Sequence, residues 1–243
     1  MVYALVGVGL AIGPDRSVAQ DSPIVTGTER IDSPFRWRER GFRLGLFGGY
    51  HQGNRGNLDF GQGPTATGGA KLRARISNPL SLELGATYGP AERWVVDLAA
   101  DGGPAIIDTV NAQWLRMDAG VQIGLTGPRT WNGFHPYGLV GGGFVFEIDG
   151  GASELLADQA LAPFRYNIGT APHIYVGLGF EIFPSERIGI GFEARDYLIR
   201  QTAPDGFLLP EILDAVEAAG APAPSPSAWR HNLEFGISIW YYF

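Results

Sequence analysis

A histidine beside a carboxylate, with a hydroxyl or a water in reach, is the minimum set for hydrolysis or acyl transfer. The chain holds four histidines. His51 and His173 fall on the polar parity of alternating segments, His135 lies close to a turn, and His231 falls on the apolar parity. Glu147 ends one alternating segment and His173 opens the next, so the two are expected side by side at one rim. Asp108 shares their parity but lies roughly 20 Å of strand beyond the apolar band. No serine shares the face of Glu147 and His173, so the pair reads as a hydrated rim contact without chemistry. Gly141-Gly142-Gly143 sits within an alternating segment and precedes no helix, which points to close backbone packing rather than a phosphate cradle.

The other ionisable groups obey one rule. Arg43, Lys71, Arg73, Arg75, Arg116 and Arg195, with Glu83, Asp118, Glu181, Glu193 and Glu234, stand on the parity opposite to the apolar residues of their segments. Leu44 and Leu46 oppose Arg43; Leu82 and Leu84 oppose Glu83; Phe192 and Ala194 oppose Glu193 and Arg195. Strand side chains alternate between two faces, so each segment has one apolar face and one charged face. A charge on a lipid face near the bilayer midplane costs about 2–4 kcal/mol, so the charged parity must face inward. Acids and bases are close to balanced there. An eight-stranded closed sheet has an interior only wide enough for its own side chains, and the expectation is a salt-bridged, plugged core.

Eight such segments can be traced from residue 41 onward, each with an apolar stripe of about 9–11 residues, enough for a tilted strand to cross a bilayer. The connections alternate between short and long, the long ones being near 52–65, 89–108, 148–172 and 200–228. If Ser77-Asn78-Pro79 makes a tight turn, Arg73 faces Glu83 and Ile76 faces Leu80. Helical spacing is read over 154–162 and over 208–219, as caps on two of the long connections.

The final segment sets Leu233, Phe235, Ile237, Ile239, Tyr241 and Phe243 against Asn232, Glu234, Gly236, Ser238, Trp240 and Tyr242. It resembles the last strand of Gram-negative outer-membrane barrels, which finish in an aromatic residue. That resemblance implies that Tyr241 and Phe243 form an assembly signal read by the barrel-assembly machinery. The pattern over 41–243 resembles the small barrels of the OmpA, OmpX and OmpW kind. It implies an all-β fold: an eight-stranded antiparallel up-and-down transmembrane β-barrel with short periplasmic turns and long outer loops. It also implies a bacterial outer-membrane location with both termini periplasmic, a monomer in contact with outer-membrane lipid, and a structural, adhesive or small-solute role.

Composition agrees. Mean hydropathy is zero and no run approaches the roughly 18 apolar residues of a membrane helix, while 36 glycines and 17 prolines suit many strands and turns. A net charge of −7 gives no basic footprint for nucleic acid. With no cysteine there is no disulfide or thiolate site, and no cofactor or metal site is expected. Residues 2–12 are apolar and Ser17-Val18-Ala19 suits cleavage, giving a signal peptide over 1–19, a periplasmic segment over 20–40 and the barrel over 41–243. Tyr50, Tyr88, Trp131, Phe134, Phe183, Tyr241 and Phe243 fall near strand ends and read as an interfacial girdle. The preferred function is a non-enzymatic barrel with a plugged lumen; the alternatives are a narrow channel for small or hydrophobic solutes, and a lipid-modifying enzyme.

Overall fold

The computed structural model describes residues 35–37, 41–56, 61–97, 105–150, 163–164, 166 and 168–243. The expected signal peptide, most of the 20–40 segment and the expected helix over 154–162 lie outside the described residues.

Eight long strands carry the fold: β1 Phe42–Gln52, β2 Thr65–Arg75, β3 Leu80–Asp97, β4 Ala105–Gly124, β5 Phe134–Gly150, β6 Thr170–Ile182, β7 Ile188–Thr202 and β8 Ser227–Tyr242. Each pairs antiparallel with its sequence neighbours, and β8 closes on β1 from Leu233↔Gln52 to Tyr242↔Arg43. Closure removes both sheet edges, which is what lets a sheet sit in hydrocarbon. The β2–β3 register places Arg73 opposite Glu83. No helix among the described residues is long and apolar enough to cross a membrane.

The alternation sorts the side chains by face. Leu46, Leu178 and Ile239 are 70%, 69% and 61% exposed on the outside, whereas Arg73, Glu83 and Arg116 are fully enclosed. From Leu233 to Phe243 the outward stripe of β8 has ten steps, about 25 Å of membrane height once strand tilt is allowed for.

Connections at the turn end (76–79, 125–133 and 183–187) are short; those at the loop end are mostly longer. Two three-residue strands, Phe35–Trp37 and Arg129–Trp131, pair at the turn end. The connection expected over 89–108 is instead mostly sheet: β3 runs to Asp97 and β4 starts at Ala105, with a bulge beside Val95 and Val96. Beyond the bilayer neither face of a strand has to be apolar, so the lipid-facing stripe stops while the backbone ladder continues. A short 3-10 turn, Asp205–Leu208, and helix α1, Pro210–Ala218, occupy the last connection.

Bulky inward aromatics fit because inward glycines face them. Trp240 pairs with Gly45, Tyr137 with Gly179, Tyr175 with Gly141 and Trp114 with Gly89. A Cβ on Gly45 would lie 2.6 Å from the Trp240 ring. Gly45→Ala is therefore expected to destabilise the barrel by about 1–3 kcal/mol. Gly48→Ala, whose Cβ meets no atom within 4 Å on the outer face, is expected to be near neutral. The temperature at which the compact gel band converts to the unfolded band measures both.

Candidate functional site

The inward face of the barrel gathers nearly all of its buried chemistry. Arg73 on β2 is 1% exposed. It donates through Nε to Glu83 on β3, through Nη1 to Glu181 Oε1 on β6 at 2.6 Å, and through Nη2 to Glu193 on β7. In a ring of eight, β2 and β6 stand on opposite walls, so this one guanidinium bridges the whole lumen. Arg195 crosses back from β7 to Glu83 Oε1 at 2.6 Å and also binds Glu193 Oε2 at 2.6 Å. Lys71 Nζ reaches the same Glu193 oxygen at 2.6 Å. Tyr137 and Tyr242 donate their hydroxyls to Glu193 Oε1 and Glu181 Oε2 at 2.8 and 2.6 Å. Arg43 completes the turn-side margin, 3.2 Å from Glu181 and hydrogen-bonded to Gln122 and the Tyr242 hydroxyl. The rings of Trp240 and Tyr137 flank the Arg73 guanidinium at 4.2 and 4.9 Å.

A second group lies toward the loop end. Arg116 on β4 crosses to β8, where it binds both Glu234 oxygens at 2.7 and 2.9 Å, and it contacts Asp118 at 3.4 Å. The Tyr197 ring lies 3.7 Å from the guanidinium carbon. His173 Nε2 is 2.6 Å from Asp118 Oδ1, and His51 Nδ1 is 3.6 Å from Glu234. Buried Arg43, Lys71, Arg73, Arg116 and Arg195 thus match buried Glu83, Asp118, Glu181, Glu193 and Glu234 charge for charge.

Both ends are narrowed. At the loop end Arg93 binds Glu147 at 2.7 Å, and the Ile168 amide donates to the other Glu147 oxygen at 2.6 Å. Tyr166, Ala203, Phe207 and Val216 form a small apolar core there, packed against Val96, Phe164 and Ile212. Burial, followed by the nearby Glu147 carboxylate, pushes the Tyr166 phenol above its ordinary value, with Arg93 opposing. At the turn end a cavity of about 30 Å³ is lined by Arg43, Arg75, Gln122, His135 and Phe183 among others.

Two expectations need correction. Glu147 and His173 do not meet. His173 stands opposite Gly143, four residues short of Glu147 along β5, so Glu147 turns to Arg93 and the following loop while His173 turns to Asp118. Phe183 does not join the outer girdle, because it packs edge-on against Tyr242 and lines the turn-end cavity. Tyr50, Tyr88, Trp131, Tyr241 and Phe243 do face outward, and Arg75 lies half-buried at the turn-side rim. Sequence reasoning missed Tyr137, Tyr242, Gln122 and Arg93 as partners. The inward parity of Tyr137, Tyr242 and Gln122 was the available signal, whereas Arg93 sits beyond the apolar band. Among the described residues no group of three His, Asp or Glu is arranged to hold a metal.

Residues 32–212 match the family model described as outer membrane protein beta-barrel domain. No curated protein matches the chain. Among solved structures, Neisserial surface protein A is similar, with a TM-score of 0.51 at 10% identity over 84% of this chain and 97% of its own. The outer membrane protein OprG from Pseudomonas aeruginosa is similar with a TM-score of 0.50 at 13% identity, covering 87% and 99%. At such identities the likeness concerns the fold alone.

The hub carries a direct test. Arg73→Met would leave three carboxylates without their shared cation, and breaking a buried network in this way costs about 3–5 kcal/mol. Urea unfolding in lipid vesicles should show that loss, with little change for Arg187→Met in the exposed 183–187 turn.

Proposed function

Because the chain belongs to the outer membrane protein beta-barrel domain family, we propose that it is a non-enzymatic barrel of the bacterial outer membrane whose plugged lumen serves a structural or surface-interaction role, acting as a monomer. The observation that carries this reading is the Arg73 side chain, bonded at once to carboxylates on β3, β6 and β7. A solute passing the Arg73 level of the lumen would have to displace a cation from three anions in a space with little water to replace them, which is expensive. The loop-end apolar core and the narrow turn-end cavity support the same conclusion.

A narrow polar passage is the second reading. It is favoured by buried donors such as Tyr197 Oη, Arg116 Nη1 and Arg195 Nη1, which have no protein partner among the described residues. Polar atoms of this kind suit bound water. They flank the hub but do not replace it, so the plug remains the better account.

In this reading the short connections face the periplasm, as the length asymmetry of such barrels requires, and both termini lie on that side. Tyr241 and Phe243 serve assembly: Phe243 is 60% exposed at the lipid face, its amide donates to the Phe42 carbonyl at 3.1 Å, and its ring packs on Phe42 and Tyr241. The barrel-assembly machinery is the partner that would read this aromatic edge.

Planar-bilayer recording should show no steady current from the wild-type monomer; a stable ion-selective conductance would replace the plug with the passage. Phe243→Asp should lower the amount of folded barrel in the outer membrane several-fold, measured by heat-modifiability of membrane fractions. Protease added to intact cells should cut within 203–226 and spare 184–187, and the reverse pattern would invert the sidedness.

A further inference from the structure

The lipid-facing surface is not uniform. A groove of about 620 Å³ runs across β6, β7, β8 and β1. Leu178, Phe180, Phe192, Phe235 and Ile237 wall it, and Gly48 and Ala194 are its low points. The barrel itself makes no demand for glycine at 48, since a Cβ there would meet nothing within 4 Å. That small residue opens the groove instead.

Toward the loop end of the same β8–β1 seam is a second pocket of about 400 Å³, lined by Gln52, Asn54, Arg55, His231 and Leu233 together with Gly53 and Gly56. The seam pairs Ile237 with Gly48 and Leu233 with Gln52. The two hollows are therefore four residues apart along each strand, about 13 Å, which a fatty acyl chain can span. The upper pocket lies where the apolar stripe of β8 ends. His231 is 67% exposed there, and Asp196 Oδ2 fixes its Nδ1 at 2.7 Å, which presents the other ring nitrogen outward. Exposed Trp229 and Arg200 pair two residues further on. An apolar slot beneath the His231 imidazole, with the Arg200 guanidinium and the Trp229 indole just beyond it, matches an amphiphile with an anionic head. Arg55 stacks its guanidinium 3.7 Å over the Trp94 ring of β3, so the basic groups on this face are His231 and Arg200, set against Asp196, which is already held by His231.

We propose that the β8–β1 seam binds one lipid of the loop-side leaflet, its acyl chain in the groove over Gly48 and its phosphate-bearing headgroup at His231 and Arg200. The site needs only the transmembrane placement of the strands. A conducting lumen would overturn the plug and leave this proposal standing.

The test is native mass spectrometry of the full chain released from nanodiscs of phosphatidylglycerol or of phosphatidylcholine. Wild type should retain one phosphatidylglycerol, with roughly tenfold less phosphatidylcholine retained. Gly48→Phe fills the groove from outside the barrel wall, and His231→Ala removes a headgroup contact; each should lower phosphatidylglycerol retention roughly tenfold with an unchanged unfolding temperature. Equal retention of the two lipids, or full retention by Gly48→Phe, would overturn the proposal. Displacement by inorganic phosphate alone would show a headgroup pocket without the groove and would overturn it too, as would a dimer abolished by Gly48→Phe, which would assign the groove to a second copy.

Discussion

Three guanidinium groups reach across the lumen: Arg73 to Glu181, Arg195 to Glu83 and Arg116 to Glu234. Each joins strands four apart in a ring of eight, so each ties opposite walls together. Desolvating ions is costly, and the mutual attraction repays that cost only where geometry and hydrogen bonding are complete. Arg73 approaches that condition, with its Nε, Nη1 and Nη2 each donating to a different carboxylate. The apolar exterior leaves the charges nowhere else to go. The membrane therefore dictates the charged interior, and the small ring diameter turns that interior into a set of cross-braces.

The aromatic residues serve the same construction. Trp240 and Tyr137 lie against the Arg73 guanidinium, and Tyr197 lies against Arg116. Their rings occupy space beside the ion pairs, and low-dielectric surroundings of this kind strengthen such pairs. Trp240 and Tyr137 find room because Gly45 and Gly179 leave the opposite strand positions empty of side chain. Charges and rings are thus layered, and a change in one layer is felt in the next. At the loop end the bracing passes to an ordinary apolar core around Phe207 and Val216, tethered through Glu147.

Much of this was legible in the sequence, because bilayer crossing imposes a strict two-residue period. That period located the strands, sorted the inward charges, and through the Ser77-Asn78-Pro79 turn placed Arg73 opposite Glu83. Contacts between neighbouring strands follow from turn lengths. Contacts across the ring depend on the stagger accumulated on closure, so the pairings of Arg73 with Glu181 and of Arg116 with Glu234 could not be read. Glu147 and His173 are separated by the register of the neighbouring strands, which a long connection does not reveal: β6 begins opposite Phe146, and the chain folds back so that the Gly169 carbonyl accepts the Glu147 amide. Above the bilayer the period no longer has to show, which is why the β3–β4 extension reads as loop. Helix α1 was visible through Leu209, Ile212, Leu213 and Val216, although the loop residues it packs on were not.

The central claim is that a water-excluding ionic hub closes the barrel at Arg73. Hydrogen exchange at arginine Nε, followed by nitrogen-15 NMR after transfer into deuterated water, tests it most directly. The hub account predicts that the Arg73 Nε–H, bonded to Glu83 inside the lumen, persists long after the signals of exposed Arg187 and Arg200 have vanished. Loss of the Arg73 signal as fast as theirs would mean that water reaches the hub freely, and the plug would be contradicted.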